Sequence, residues 1–280
     1  MTMNGKIVMV TGANSGIGKA TALGLAKQGA AVVMVSRDRG RGEAARKEVA
    51  ELSGNGDIEL LTADFSSLED VRELARKFRE RFGKLHVLVN NAGGMFSKRE
   101  SSKDGFEMTF AVNYLAPFLL THSLLDTLKA SAPSRIVNVA SQVQAKTINA
   151  DTALNPPAYK AFAAYGEAKL AVIMMTYTLA KRLQGSAVTI NALHPGAVYT
   201  PQSAKFAPAP LRPLMRLFMK TPEQGAQTSL FLASSPEMEG RTGKYYKDLQ
   251  IKQTGAASYD IALQERLYAK SLEWTGAERP

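Results

Sequence analysis

Short β-branched runs alternate with stretches of helical periodicity along the whole chain. Lys6–Val10, Ala31–Ser36, Ile58–Ala63, Leu85–Asn90, Arg135–Ala140, Val188–Leu193 and Gly243–Tyr246 read as strands. Ile17–Gln28, Glu43–Leu52, Leu68–Phe82, Phe106–Lys129, Tyr159–Gln184, Pro222–Ala233 and Ile261–Trp274 read as helices, with Pro117 bending the fourth. The strands are almost continuously apolar, the pattern of strands buried on both faces. Such an alternation packs as a parallel sheet with helices on either side. The expectation is an α/β fold with a doubly wound sheet of about seven strands, in a single domain over residues 1–280.

Two segments resist the alternation, Gln142–Pro157 and the proline-rich Thr200–Lys220.

Composition narrows the chemistry. The 280 residues include no cysteine, which excludes disulfides, thiolate catalysis and cysteine metal sites and fits a reducing compartment. His86, His122 and His194 lie far apart, so no metal site is expected. No apolar run is long enough for a transmembrane span, and the N-terminus enters a strand without a signal-peptide pattern. A cytoplasmic protein is expected. The net charge of +10 reads as a solvated basic surface or as attraction for an anionic ligand. No zinc-finger spacing or RNA-binding aromatic motif supports nucleic acid as a partner.

The first strand runs directly into TGANSGIG, Thr11 to Gly18, and then into a helix. Glycines here permit a tight turn and close approach, and the helix N-terminus offers free N–H groups to a phosphate. The spacing Gly-x-x-x-Gly-x-Gly differs from the usual dinucleotide fingerprint, yet its place favours phosphate cradling in a Rossmann-type sheet. The second strand ends at Ser36-Arg37-Asp38. Arg37 suits the 2′-phosphate of NADP(H), while Asp38 keeps NAD(H) open.

Tyr165 and Lys169 are four apart on a helix, so they share a face. Ser141 ends the preceding strand. A phenol, an ammonium and a hydroxyl meeting at one point can move a proton to or from a carbonyl oxygen.

Taken together, TGANSGIG, the NNAG of Asn90–Gly93, Asn113, Ser141, Tyr165 with Lys169, and Pro195-Gly196 with Thr200 resemble the classical short-chain dehydrogenases/reductases. The resemblance covers about Lys6 to Tyr246, and VNYLAPFLLTHSLL, AYGEAKLA and KTPEQGAQTSLFLA resemble its retinol-dehydrogenase-like branch. It implies NADP(H)-dependent interconversion of lipophilic alcohols and carbonyls. It implies catalytic roles for Asn113, Ser141, Tyr165 and Lys169, with Asn113 holding a water that links Lys169 to solvent. It places Gly12, Ser15, Gly16, Ile17 and Gly18 at the pyrophosphate. Asp64 would meet the adenine amino group, with Phe65 standing where the family has an aliphatic residue. Asn90 and Ala92 would line the adenosine side, Gly93 would leave space, and Pro195, Gly196, Val198 and Thr200 would hold the carboxamide. Tyr165 and Lys169 would also touch the cofactor.

Residues 200–220 are expected to form a substrate lid. Within them Leu211, Leu214, Met215, Leu217 and Phe218 make an apolar side, and Arg212, Arg216 and Lys220 recur every four residues. Peripheral contact with anionic lipid through 211–220 is the weaker reading. Ile148, Leu154, Pro156, Pro157, Tyr159 and Phe162 are expected to form the opposite wall, and Met174 and Met175 to lie in the core. The tail 247–280 carries Leu263, Leu267 and Trp274 at helical spacing and would close the site or dock on a second subunit of a homodimer or homotetramer. The competing readings are a 3-ketoacyl-thioester reductase and a dinucleotide-binding regulator with little turnover.

Overall fold

A computed structural model describes residues 3–151, 153–156, 158–200, 203–206 and 217–278. Eight strands form one sheet in the order β3-β2-β1-β4-β5-β6-β7-β8. They are β1 (Ile7–Thr11), β2 (Ala31–Ser36), β3 (Ile58–Thr62), β4 (Val87–Asn90), β5 (Ser134–Val139), β6 (Val188–His194), β7 (Tyr245–Lys247) and β8 (Gln250–Ile251). The first seven pair in parallel, and β8 turns back antiparallel on β7. β8 has only two residues, too few to carry a periodic signal.

Alternate residues of each strand face opposite layers. Met9, Leu88, Ile136 and Ile190 pack with Leu74, Phe118 and Ile173 from helices Leu68–Phe82, Ala116–Ser123 and Ala161–Arg182. Val8, Val10, Val32 and Val89 face the other way, onto Leu25, Val49 and Leu232 from helices Gly16–Lys27, Arg39–Ser53 and Pro222–Ser234. The order in which strands are added across the sheet reverses between β1 and β4. In open parallel sheets that switch point, at the carboxyl ends of the strands, is where ligands bind.

Helix Leu68–Phe82 starts and stops where its sequence says it should. The Ser67 side chain accepts from Asp70 N, Glu69 and Asp70 sit in the first turn, and Gly83 ends it at φ 65°. The stretch expected as one helix from Phe106 to Lys129 is instead broken. Met108–Phe110 passes into a π-helical turn at Ala111–Leu115, then into helices Ala116–Ser123 and Leu125–Ala130. Pro117 has no N–H to give the turn before it, so the wide turn falls just upstream. Asn113 lies inside that turn.

The tail docks on its own chain. Helix Ile261–Thr275 is capped by Asp260, buries Leu267 and Tyr268 in the core, and packs Leu263 and Trp274 against it. Tyr114 and Ser271 hydroxyls meet at 2.7 Å, and Arg72 donates to Thr275 O at 2.7 Å. Met174 and Met175 are core residues, as expected. Among the described residues no helix is long and apolar enough to cross a membrane.

Candidate active site

The carboxyl end of β1 gives way to the glycine turn. Gly12 has φ +66°, and a Cβ there would lie 2.9 Å from Ala92 Cα. A Cβ on Gly18 would come 2.3 Å from Gly12 O and 2.4 Å from Asn91 Nδ2. Ser15 precedes helix Gly16–Lys27 without a side-chain cap, and no acidic residue occupies its first turn. The first N–H groups therefore point outward with the positive end of the helix dipole, a seat for a phosphate. Ile17 and Val198 both pack over Gly225. Thr200 brings the second half of the cradle close: its Cγ2 lies 3.2 Å from a Cβ built on Gly16. Its own N–H and hydroxyl bond Ser203. Pro195 is half-buried, and Gly196 takes φ +94° beside the Lys220 side chain. This constellation fits a dinucleotide, because its narrow places would be filled by any side chain larger than hydrogen.

Two residues of this turn escaped the sequence reading. The Thr11 hydroxyl accepts from Asn91 N and Ala92 N, both at 2.9 Å. The Asn91 amide donates to Thr11 O at 2.8 Å and Gly12 O at 3.3 Å. Together they clamp the glycine turn to the end of β4. The doubled asparagine of NNAG carried the signal. The first one, Asn90, turns into the sheet rather than toward the adenosine side. Its amide donates to Thr121 Oγ1 at 3.0 Å and Asn138 Oδ1 at 2.9 Å, and Asn138 donates to Thr176 Oγ1 at 2.9 Å. This buried polar ladder ties β4 and β5 to two helices, and breaking one member would cost about 1–3 kcal/mol.

At the end of β2, the Asp38 carboxylate accepts from Arg41 N at 2.8 Å and so caps helix Arg39–Ser53. Its pKa is lowered, chiefly by that backbone bond. Asp38 is committed to the helix, whereas Arg37 is exposed. Asp64 accepts from Ser66 N and Oγ. Burial pushes its carboxyl up, but Ser66 and the nearby Lys103 and Arg37 outweigh that and hold it low. The Phe65 ring is core.

The candidate catalytic residues come from the segment after β5, the π turn and helix Ala161–Arg182. Ser141 follows the end of β5, is buried, and accepts from Val143 N at 3.0 Å. The Lys169 ammonium is buried, donates to Val139 O at 2.9 Å and lies 5.5 Å from the centre of the Tyr165 ring. A Cβ on Gly93 would stand 2.5 Å from Asn113 Oδ1 and 3.5 Å from Lys169 Nζ, so this glycine opens the space between them. The Asn113 amide donates to Gly94 O and Thr109 O, each at 2.7 Å, and its Oδ1 accepts from Gly94 N at 3.0 Å. These bonds spend the side-chain amide, so a water at Asn113 would have to use the main chain of the widened turn.

Burial sets the electrostatics. It lowers Lys169 to about 8. It also raises the Tyr165 phenol, a rise that a hydrogen bond with Ser141 partly offsets. In the free enzyme desolvation therefore outweighs any lowering of Tyr165 by Lys169.

A stability prediction follows. Moving an ammonium pKa from 10.5 to about 8 on folding corresponds to about 3 kcal/mol at ~1.4 kcal/mol per pH unit. Below about pH 8 both states are protonated and the fold bears this cost. It disappears as pH rises toward 10.5, where the unfolded chain also loses the proton. Lys169→Met should therefore unfold at or above the wild-type temperature at pH 7 while losing activity. A melting curve several degrees below wild type would contradict this.

The walls differ from expectation. Ile148 is buried in the core and Leu154 packs against it, because the segment folds back onto the body. Tyr159 donates to Phe96 O at 2.6 Å, and Phe162 is exposed. Pro157 and most of the expected lid, with Leu211, Arg212, Leu214, Met215 and Arg216, lie outside the described residues. Leu217 and Phe218 are 77% and 79% exposed, while Lys220 is tied to Asp248. The histidines serve structure: His86 Nδ1 accepts from Ile7 N at 3.0 Å, His122 bonds Tyr268, and His194 Nδ1 accepts from Gln142 N at 3.2 Å. Among the described residues no cluster fit for a metal ion forms.

The short-chain dehydrogenase family model matches residues 6–210, which contain the glycine turn, Ser141, Tyr165 and Lys169. The chain belongs to this family. Human retinol dehydrogenase 13 is 41% identical over 292 residues, covering 100% of this chain and 87% of that protein. Human retinol dehydrogenase 14 is also 41% identical, covering 95% and 85%. Among solved structures, an uncharacterised protein from Mycobacterium paratuberculosis aligns with a TM-score of 0.81 at 29% identity, covering 100% and 96% of the two chains. The 3-ketoacyl-(acyl-carrier-protein) reductase of Brucella melitensis, solved with NADH, aligns at 0.70 and 29% identity, covering 92% and 100%. This short-chain dehydrogenase is thus an oxidoreductase related to retinol dehydrogenases, and its family implies an NAD(P)(H) cofactor.

Proposed function

We propose that this enzyme interconverts a lipophilic alcohol and its aldehyde or ketone with NADP(H), using Tyr165 as general acid and base. The meeting of Tyr165, Ser141 and Lys169 beside a glycine turn free to hold phosphate carries the reading. The relatives named retinol dehydrogenases support a lipophilic substrate. The nicotinamide supplies or accepts the hydride when bound.

In reduction, the Tyr165 hydroxyl gives its proton to the carbonyl oxygen as negative charge develops there. Ser141 donates a hydrogen bond to the same oxygen and steadies that charge. Lys169 lies close enough to favour the phenolate that remains. In oxidation the phenolate takes the hydroxyl proton back. Gly12, Ser15, Gly16, Ile17 and Gly18 would hold the pyrophosphate, with Asp64, the main chain of Phe65 and Ala92 toward the adenosine. Pro195, Gly196, Val198 and Thr200 would hold the carboxamide. A coupled screen of retinoids, steroids and simple carbonyls with NADPH and NADH tests the reading. Oxidation of neither cofactor across the panel would overturn it.

The preference for NADP(H) follows from the spent carboxylate of Asp38 beside an exposed Arg37. A charge-assisted contact of about 1.5–3 kcal/mol sets a ratio of roughly tenfold or more. Arg37→Asp should weaken NADPH and shift the preference toward NADH. Unchanged Kd values for both would dismiss this role.

The reading as a ketoacyl-thioester reductase has the solved reductase and the basic surface behind it. The higher identity to the retinol dehydrogenases supports the lipophilic reading ahead of it.

A further inference from the structure

A cavity of about 460 Å³ opens between the segment after Ser141 and the β7–β8 hairpin. It adjoins the reactive residues. Gln142 follows Ser141 directly, and the Gln144 main-chain carbon lies 3.5 Å from a Cβ built on Gly166, the neighbour of Tyr165. Tyr245, which forms part of the cavity, is near enough to Tyr165 for that phenol to oppose its ionisation.

Every side chain around this space is polar. Gln142, Gln144 and Gln250 bring amides, Tyr245 a phenol, and Lys247 and Lys252 ammonium groups. Lys247 spends one N–H on Gln142 Oε1 at 2.8 Å, and Lys252 one on Gln250 Oε1 at 2.9 Å. An ammonium has three N–H donors, so each keeps donors to give. Among the described residues neither lysine makes an ion pair, whereas the one carboxylate of the lining, Asp248, is paired with Lys220. The Tyr245 hydroxyl is buried with no hydrogen-bond partner of normal geometry. Gln144 is close enough to ease its ionisation slightly, but burial dominates and raises its pKa. The cavity therefore presents two ammonium groups outside any ion pair, one of them near the Asp248 carboxylate that Lys220 already holds, and a buried hydroxyl without a partner, in a mostly polar lining.

We infer that this cavity is a subsite for a carboxylate. The substrate is then an amphiphilic oxo- or hydroxy-acid, its reacting carbon at Tyr165 and its anionic end between Lys247, Lys252 and the Tyr245 hydroxyl. The inference rests on Tyr165 being the place of proton transfer, and it adds no step to that chemistry.

The test uses the full chain and the double variant Lys247→Gln/Lys252→Gln. Calorimetric titration with hexanoate and decanoate and with their methyl esters reads the subsite without turnover. The acids should bind the wild type roughly tenfold or more tighter than the esters. The double variant should lose that margin and keep its ester affinity, which also shows that it is folded. Linear ω-oxo acids and their methyl esters then read the reaction. The acids should lead in kcat/KM by the same margin, again only with both lysines present. Equal affinity for acid and ester, binding of neither, or an acid margin that survives the double variant would overturn the subsite. Reduction of acids and esters alike would overturn it while leaving the proposed reaction standing. Lysine-dependent binding of decanoate with no reduction of any oxo compound would uphold the subsite and remove the proposed reaction.

Discussion

Tyr165→Phe should lower turnover by about 10²–10⁴-fold while leaving dinucleotide affinity within a few-fold of wild type. The change removes one oxygen and keeps the ring, so the packing of helix Ala161–Arg182 should survive. What disappears is the group at that point proposed to give a proton to a carbonyl oxygen and be restored by a neighbouring cation. Ser141 cannot take its place. An unactivated hydroxyl is a poor acid at neutral pH, and its oxygen already accepts from Val143 N. Lys169 cannot either, because its ammonium is buried and already donates to Val139 O. Fluorescence titration with NADPH and NADH, alongside steady-state rates, separates binding from chemistry. Near-normal rates would remove Tyr165 from the mechanism.

Gly18→Val should abolish measurable cofactor binding. Even the first carbon of the new side chain would stand 2.3 Å from Gly12 O and 2.4 Å from the Asn91 amide. Those atoms are not free to yield. The Asn91 amide holds Thr11 O and Gly12 O, and Thr11 is the last residue of β1. To admit the side chain, helix Gly16–Lys27 must move away from the turn, and the outward N–H groups move with it. Overpacking of this kind typically costs 1–3 kcal/mol. The protein should therefore remain folded, with a lower melting temperature, while NADPH and NADH no longer bind. Wild-type affinity in this variant would show that the phosphate seat lies elsewhere.

The parallel sheet was legible because its strands are almost continuously apolar and its helices carry a 3.6-residue period. The candidate catalytic set was legible for a similar reason: residues four apart on a helix must share a face, and Ser141 follows a strand whose position the alternation fixes. Other features depend on tertiary structure. Nothing local marks Asn91 rather than Asn90 as the clamp on the glycine turn, since the two differ only in which side of the strand end they face. The π turn at Ala111–Leu115 follows from the lost N–H of Pro117 and the bonds that Asn113 makes to Gly94, a residue distant in sequence. Ile148 was expected on a substrate wall because it is apolar, but hydrophobicity alone does not separate a pocket from a core. The electrostatics were the least legible. Sequence places Lys169 beside Tyr165, yet only burial shows that desolvation outweighs their attraction in the free enzyme.

The most direct test of Tyr165 as the proton donor is the single-turnover rate of carbonyl reduction at saturating reduced cofactor, followed across pH. Burial holds the Tyr165 phenol protonated. The rate should stay high through neutral pH, fall as pH rises through one ionisation, and lose that ionisation in Tyr165→Phe. A wild-type profile that rises with pH, or a variant that keeps the same ionisation at a near-normal rate, would contradict the account.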